Sequence, residues 1–574
     1  MNTSELTTAA ELPGYVMDDA SGVFVRPGSQ GIGYRDGGED ALLKIIQSVS
    51  DRSTLSSELV RHMNDWPSEY HFSRKRHLVL RPFEIKRGDR VLELGSGCGS
   101  ITRHLAEIGA EVTAVEGELA RAAVAAKRCE GFDNVRFVAD NFLALDLPEK
   151  FDWVLMIGVF EYSQKYGTSA DRQREYLDIA RRHLKPNGTL VIAIENKLGL
   201  KYLNGAGEDH NGKRFYGPQD LYGDNDITTW GRVELQDMLA AAGFAQTKFF
   251  AAFPDYKLPK IIFSEDIDQH RHFRAEELLH YTKSLDYRGK NERIFDESLV
   301  MASLRKNGMM VDMANSFLIA CRLDELQDGF DPNVLAHYFS VDRQRHLCTH
   351  TRFMSGVNGQ ITVIKKPIDA DQPTLAAPMF VTTESGDLLQ LTQFEDKAAS
   401  DYYPGRLMGF DISKALKKGD AEQLKTLLKT WAAFLVHSFQ ITCRHTGQRL
   451  TMADLEGRRL ASVMIEGAAI DCGPQNIILG ERIHAFDLEW QSDQPVPLAW
   501  VLNRNAKHAV RLRHSNKQVI QVTDIVGFIA EMLGVTAMTE DIAEANYLEK
   551  QFQSGVALVE PSNITPLTEA LDLP

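Results

Sequence analysis

Five consecutive residues, Gly95-Ser96-Gly97-Cys98-Gly99, follow directly on the apolar run Val91-Leu92-Glu93-Leu94. Glycines let a backbone approach a ligand closely and adopt positive φ. A helix starting behind such a turn offers free N–H groups to a carboxylate or phosphate. The spacing is GxGxG; a dinucleotide-type GxGxxG would need glycine or alanine where Ser100 stands. Glu93, two residues before the first glycine, can face an amino group such as that of an amino-acid moiety. Glu116, in Ala114-Val115-Glu116-Gly117, can accept both hydroxyls of a ribose. Asp140, followed by Asn141 in Val138-Ala139-Asp140-Asn141-Phe142, stands where an adenine amino group needs an acceptor. Gly158 closes a fourth apolar run, 151–157, whose end borders the reacting group. A tight strand–helix turn alone would account for the glycines; the ordered carboxylates downstream are what a nucleoside ligand adds.

These residues need elements to hold them. Residues 90–94, 111–115, 135–138, 152–157 and 189–194 read as strands, and 101–108, 119–128 and 172–183 as helices. Strands alternating with helices predict a parallel, doubly wound sheet. The polar, Gly- and Asn-rich stretch 196–226 is too long for a plain connector and is a candidate lid. A helix over 232–242 is stopped by Gly243. Residues 245–253 and 316–321 read as the last two strands, with a charged helical insertion over 265–306 between them. After Asp324 the composition changes: 337–368 has an antiparallel β pattern with a turn at Ser355-Gly356-Val357-Asn358-Gly359. From Asp411 the chain reads as mostly helical, broken by 477–490.

The 574 residues exceed one ordinary core. The domains expected are 1–85, a helical extension capping the acceptor side; 86–325, the doubly wound domain with insertions at 196–226 and 265–306; and 335–574. The net charge of -15 argues against a general nucleic-acid binder. Six scattered cysteines without a CxxC pair indicate neither a zinc site nor a disulfide framework, which fits a reducing cytosol. No apolar run reaches the ~20 residues of a membrane span, and the opening residues lack a basic region followed by an apolar stretch. A cytoplasmic protein is expected, with work at the inner face of a membrane left open.

The glycine loop, Glu116, Asp140, the strand Phe151-Asp152-Trp153-Val154-Leu155-Met156-Ile157-Gly158 and the turn Leu184-Lys185-Pro186-Asn187-Gly188, in this order, resemble class I methyltransferases dependent on S-adenosylmethionine (SAM). The resemblance covers roughly 89–321 and implies a Rossmann-like α/β fold. It implies SAM held by Glu93, Gly95, Ser96, Gly97, Cys98, Gly99, Glu116, Asp140, Asn141 and Gly158.

Glu208, Asp209 and His210 put two carboxylates and an imidazole on one polar loop after the fifth strand. Any of them suits a general base for an attacking hydroxyl, although a solvated charged turn would read the same. Tyr70-His71-Phe72-Ser73, Ile194-Glu195-Asn196, Gly207-Glu208-Asp209-His210 and Phe253-Pro254-Asp255-Tyr256-Lys257 resemble a methyltransferase group associated with bacterial lipopolysaccharide and O-antigen assembly. That resemblance implies a sugar, sugar-phosphate or lipid-linked glycan acceptor, with polysaccharide assembly enzymes as partners. Tyr70, Asn196, Tyr202 and Tyr216 would suit carbohydrate hydroxyls.

A second constellation lies in 335–574. Asp471-Cys472-Gly473-Pro474-Gln475-Asn476, with Asp487 eleven residues on, resembles the catalytic loop and metal-binding Asp of the kinase-like fold in its aminoglycoside and choline kinase branch. The resemblance implies a second, α+β kinase-like domain taking ATP and Mg²⁺. Asp471 would be the proton acceptor, Asn476 and Asp487 the metal ligands, and Lys365, in Thr362-Val363-Ile364-Lys365, the phosphate-pairing lysine. Two departures stand out: Ala469 occupies the place of the family's histidine, and no GxGxxG loop precedes Lys365. Glu395 is the only guess at a partner for Lys365. With both halves active, the layout resembles bifunctional methyltransferase–kinase enzymes that terminate O-antigen chains. The alternatives are a methyltransferase for another small molecule or a protein, with a C-terminal domain that only binds, and a non-catalytic scaffold that keeps the fold.

Overall fold

The computed structural model describes residues 12–29, 31–34, 37–287, 293–324, 329–369, 377–393, 399–510, 518–519, 522–558 and 572–573. Two compact units emerge, 1–270 with 281–339, and 271–280 with 340–574.

In the first unit the strands are β1 (Val16–Asp18), β2 (Val23–Val25), β3 (Arg90–Leu94), β4 (Glu111–Glu116), β5 (Val135–Ala139), β6 (Phe151–Ile157), β7 (Leu184–Glu195), β8 (Gln246–Phe253), β9 (Ile261–Ser264), β10 (Ser316–Arg322) and β11 (Val334–Ser340). They form a sheet in the order β1-β2-β5-β4-β3-β6-β7-β10-β8-β9-β11. From β2 to β7 every neighbour is parallel. Burial on both faces explains why β3 and β6 read as near-continuous apolar runs: Val91, Leu92, Leu94, Val154, Leu155 and Met156 are all fully buried. β10 is antiparallel to both β7 and β8, so β8 returns to the direction of the parallel set. The connecting helices include α1 (Glu39–Ser48), α2 (Trp66–Phe72), α3 (Ser100–Ile108), α4 (Leu119–Arg128), α5 (Arg172–His183), α6 (Arg232–Ala241) and α7 (Glu297–Lys306). α2 starts at a reciprocal Asp65–Ser68 capping box with Pro67 in its first turn, which fixes where Trp66 and Tyr70 point.

Three expectations differ from this architecture. The N-terminal segment is not only helical: β1 and β2 form a hairpin that joins the sheet beside β5. Three-residue strands carry too little alternation to be read from sequence. The stretch 265–306 is helical only in short turns and in α7; residues 288–292 lie outside the described residues, and 271–280 belong to the second unit. β7 begins at Leu184, well before residue 189, and pairs with β6 across a register shift.

The second unit is α+β. The expected hairpin is present as Thr349–Ser355 paired antiparallel to Ile361–Pro367. The helices Met408–Lys418, Ala421–Ser438, Leu498–Val510, Val522–Met532 and Thr539–Val556 follow. Their core holds the fully buried Trp431 and Trp500, and the Trp500 indole donates to Glu549 at 3.0 Å. The short strands Ile477–Leu479 and Ile483–Ala485 make the hairpin that interrupts the helices. Among the described residues no helix is long and apolar enough to cross a membrane.

Candidate active site

At the carboxyl edge of the parallel strands a cavity of about 570 Å³ opens. This is where doubly wound sheets place ligands, and the volume falls in the range of small-molecule sites. Gly95, Ser96, Gly97, Glu93, Glu116 and Gly158 all line it. Gly95 and Ser96 donate to the Val115 carbonyl at 2.8 and 3.0 Å, which ties the loop to β4. The Gly97 N–H donates to Glu116 at 2.7 Å. Ser96 Oγ is buried with no hydrogen-bond partner among the described residues, an acceptor-donor left for a ligand.

Glu93 is buried and accepts from the Thr102 hydroxyl at 2.6 Å; burial pushes its carboxyl up to about 8. Glu116 is also raised by burial, although Arg121, 3.6 Å away, opposes the shift. The Arg121 guanidinium lies over the Tyr34 ring at 5.0 Å, and Ile32 and Tyr34 close this side of the cavity.

Three expected cofactor ligands are placed elsewhere. Cys98 is buried in an apolar cluster with Leu42, Ile46 and Phe72, and does not line the cavity. Gly99 serves packing: at φ 78° it caps α3, and a Cβ there would sit 2.7 Å from Ala125 Cα of α4. Asp140 ends β5 as expected, but its carboxylate accepts from Arg26 at 2.6 Å and from Tyr15 at 2.7 Å, outside the cavity lining. Its neighbour Asn141 does line the cavity, with Phe142.

The opposite end of the cavity is polar and charged. His210 reaches it from the loop after β7, its Nδ1 paired to Glu208 Oε1 at 2.8 Å. Burial alone would lower the imidazole, but the Glu208 hydrogen bond and the charges of Glu195, Glu208 and Glu161 outweigh it and hold His210 above its ordinary value. Glu208 also accepts the backbone N–H groups of His210 and Asn211, so it orients the imidazole and is not itself free to act as a base. Asp209 is a second correction: Lys201 at 2.9 Å and Lys257 grip its carboxylate and hold it well below the usual carboxylate range, despite burial. A carboxylate so stabilised is a poor proton acceptor.

Sequence reasoning missed Glu161, just beyond β6, and the catalytic potential of Glu195, the last residue of β7. Both line the cavity, where Tyr256 and Lys257 join them. Their signal was position: both follow strands whose carboxyl ends must border the ligand. Trp66 and Tyr70 of α2, with Tyr162 and Tyr287, complete an aromatic wall. Of the other residues suited to sugar hydroxyls, Asn196 is buried and donates to the Asp312 and Ala314 carbonyls. Tyr216 bonds Asp226, Tyr202 is buried, and none of the three lines the cavity.

The second unit does gather its expected residues. Lys365 Nζ meets Asp487 Oδ1 at 2.6 Å, and Asn476 Nδ2 donates to the carbonyl oxygens of Asp471 at 2.9 Å and Asp487 at 3.3 Å. Asp471 departs from its expected role. Arg504 at 2.8 Å holds one carboxylate oxygen and the Trp490 N–H at 2.9 Å the other, so the carboxylate is anchored within this unit. Lys365 is paired with Asp487; Glu395 lies outside the described residues.

Comparison with known proteins bears on the first unit. Residues 92–190 match the family model described as Methyltransferase domain. A probable ribosomal RNA small subunit methyltransferase A of Methanothermobacter thermautotrophicus is 37% identical over 75 residues, 13% of this chain and 27% of the relative. A demethylmenaquinone methyltransferase of Tropheryma whipplei is 30% identical over 118 residues, 20% of this chain and 46% of the relative. A protein-L-isoaspartate O-methyltransferase of Methylorubrum extorquens is 30% identical over 148 residues, 25% and 58% respectively. The chain thus spans between about a quarter and three fifths of the length of these relatives. Among solved structures, phosphoethanolamine N-methyltransferase 2 of Haemonchus contortus with S-adenosyl-L-methionine is 17% identical, covering 48% of this chain and 61% of its own, at a TM-score of 0.28. The family match and the ordered parallel strands make this region a class I methyltransferase domain of Rossmann-like fold.

Proposed function

We propose that this chain is a SAM-dependent methyltransferase acting on a hydroxyl of a sugar or sugar-phosphate acceptor, in bacterial surface-polysaccharide synthesis. One observation carries the reading: a single cavity joins the glycine loop, Glu93 and Glu116 at one end to Glu161, Glu195 and His210 at the other. The first end fits SAM. Glu93 would meet its amino group, Ser96 Oγ its carboxylate, and Glu116 its ribose. SAM, when bound, supplies an electrophilic methyl group. The second end would activate the acceptor hydroxyl, with His210 lining the cavity and held by Glu208 through Nδ1. The aromatic wall of Trp66, Tyr70, Tyr162 and Tyr287 suits the apolar faces of a sugar ring. The setting that goes with this reading is a cytoplasmic protein peripheral to the inner membrane, working with polysaccharide assembly enzymes on a lipid-linked glycan.

A second activity rests on the convergence of Lys365, Asn476 and Asp487 in the second unit. Asp487 and the free amide oxygen side of Asn476 would hold Mg²⁺ on ATP, with Lys365 turning from Asp487 to the phosphates. The fit is partial, because Asp471 is occupied by Arg504.

The test is transfer of labelled methyl from SAM to lipid-linked glycan extracts, with and without ATP. Label in the glycan supports the reading, and label only with ATP adds the kinase step. Label confined to quinones, RNA or protein in whole extracts would replace the acceptor class.

A further inference from the structure

The acceptor end of the cavity holds more negative charge than its lysines balance. Glu161, Glu195, Glu208, Asp209 and Asp255 gather there around Lys201 and Lys257. Lys201 pairs with Asp209 at 2.9 Å and lies 3.8 Å from Asp255, while Lys257 bridges Glu195 and Asp209. Arg76 also lines the cavity, donating to the Tyr70 hydroxyl at 2.8 Å and to the Tyr256 carbonyl.

Within this group, one oxygen of Glu161, one of Glu195 and a ring nitrogen of His210 lie within 4.8 Å of one another. Glu161 is 1% exposed and Glu195 0%. Each turns Oε1 toward the Tyr256 hydroxyl at 3.4 Å, and each keeps Oε2 buried with no hydrogen-bond partner among the described residues. Buried carboxylate oxygens are almost always partnered, because an unmet one forfeits its solvation. Two such oxygens, on carboxylates grouped with one imidazole, leave room for a positive ligand.

Resting on the methyltransferase reading above, we propose that Glu161, Glu195 and His210 form a binding site for one divalent cation at the acceptor end of the cavity. Two carboxylate oxygens and one imidazole nitrogen suit Mn²⁺ or a similar hard-to-borderline ion, with its other positions left to water and acceptor oxygens. Nδ1 pairs with Glu208, so an unprotonated His210 would offer Nε2 as the ligand with Glu208 as its orienting partner. An acceptor oxygen entering the coordination shell would be held in line for attack, and a hydroxyl bound there loses its proton to solvent more readily. The ion would also let a phosphate-bearing acceptor approach this carboxylate-rich wall.

The probe is Mn²⁺ alone, titrated into the full-length chain without nucleotide and followed by the loss of the free-ion EPR signal. The expected result is saturable binding of one ion, weakened at least ten-fold by Glu161→Gln and by Glu195→Gln. SAM is titrated into the same proteins by calorimetry. Retained SAM binding shows that the variants are folded, and SAM binding tests the methyltransferase reading separately. Absence of saturable Mn²⁺ binding by a SAM-competent wild type, or binding indifferent to both glutamine variants, overturns the cation site.

Discussion

With Glu93 at the amino group of SAM, as proposed, SAM binding should depend on pH in a way that can be worked out from its surroundings. Its carboxyl is buried, has the Thr102 hydroxyl as its hydrogen-bond donor, and is pushed up to about 8. In the ligand-free protein it therefore carries a proton at neutral pH. The sign follows: a carboxyl raised above its unfolded value near 4.5 makes the empty fold lose stability as pH climbs from about 4.5 through about 8. A cationic amino group at this position favours the ionised form, so SAM must drive the proton off. Apparent affinity should rise by about ten-fold per pH unit, roughly 1.4 kcal/mol, between about pH 6 and 7.5, below the range where the α-amino group of SAM itself titrates. Calorimetry in buffers of different ionisation enthalpy should count close to one proton released per SAM near pH 7. Glu93→Gln should abolish that release, flatten the profile and cost about ten-fold in affinity at pH 7.5, the worth of one charged hydrogen bond. Equal proton release by wild type and Glu93→Gln would refute the assignment and move the linkage to another buried carboxyl.

His210→Ala should lower methyl transfer by about 100-fold while SAM affinity changes little, as steady-state rates and calorimetry would show. Because His210 is held above its ordinary value and acts only when unprotonated, wild-type turnover should rise with pH through a value above 6.5. Gly99→Ala should destabilise the first unit by about 3 kcal/mol in urea unfolding, since the new methyl group meets α4 backbone in a left-handed conformation. Asp487→Ala should weaken Mg·ATP binding by the full chain at least ten-fold in equilibrium dialysis, with methyl transfer to an acceptor that needs no phosphorylation left intact.

The core of the fold was legible because its signals are local. The strand–glycine loop–helix run at 90–108 and the carboxylates ending β4 and β5 sit within a few residues of the elements that position them. Asp140 shows where that ends. Its place at the strand end was readable, but the Arg26 and Tyr15 side chains that claim it lie 114 and 125 residues upstream, on a hairpin with hardly any pattern of its own. Asp471 fails in the same way: its spacing to Asn476 and Asp487 was right, yet Arg504, 33 residues later, occupies the carboxylate. Cys98 and Gly99 belong to the motif for packing against Val124 and Ala125 of α4, a reason that spacing cannot separate from ligand contact. At the acceptor end, Glu208, Asp209 and His210 read as equals in sequence. The lysines at 201 and 257 and the geometry of the Glu208 pair divide them into an anchor, an orienter and one candidate base.

The central claim is that the glycine-loop end of the cavity binds SAM through Glu116. Titration of SAM into the full chain by calorimetry, with Glu116→Ala measured alongside, tests it directly. The expected result is saturable one-to-one binding that weakens by about ten-fold or more in the variant, because a buried charged acceptor of the ribose hydroxyls is worth about 1.5–3 kcal/mol. No binding by the wild type, or the same affinity in both proteins, would contradict it.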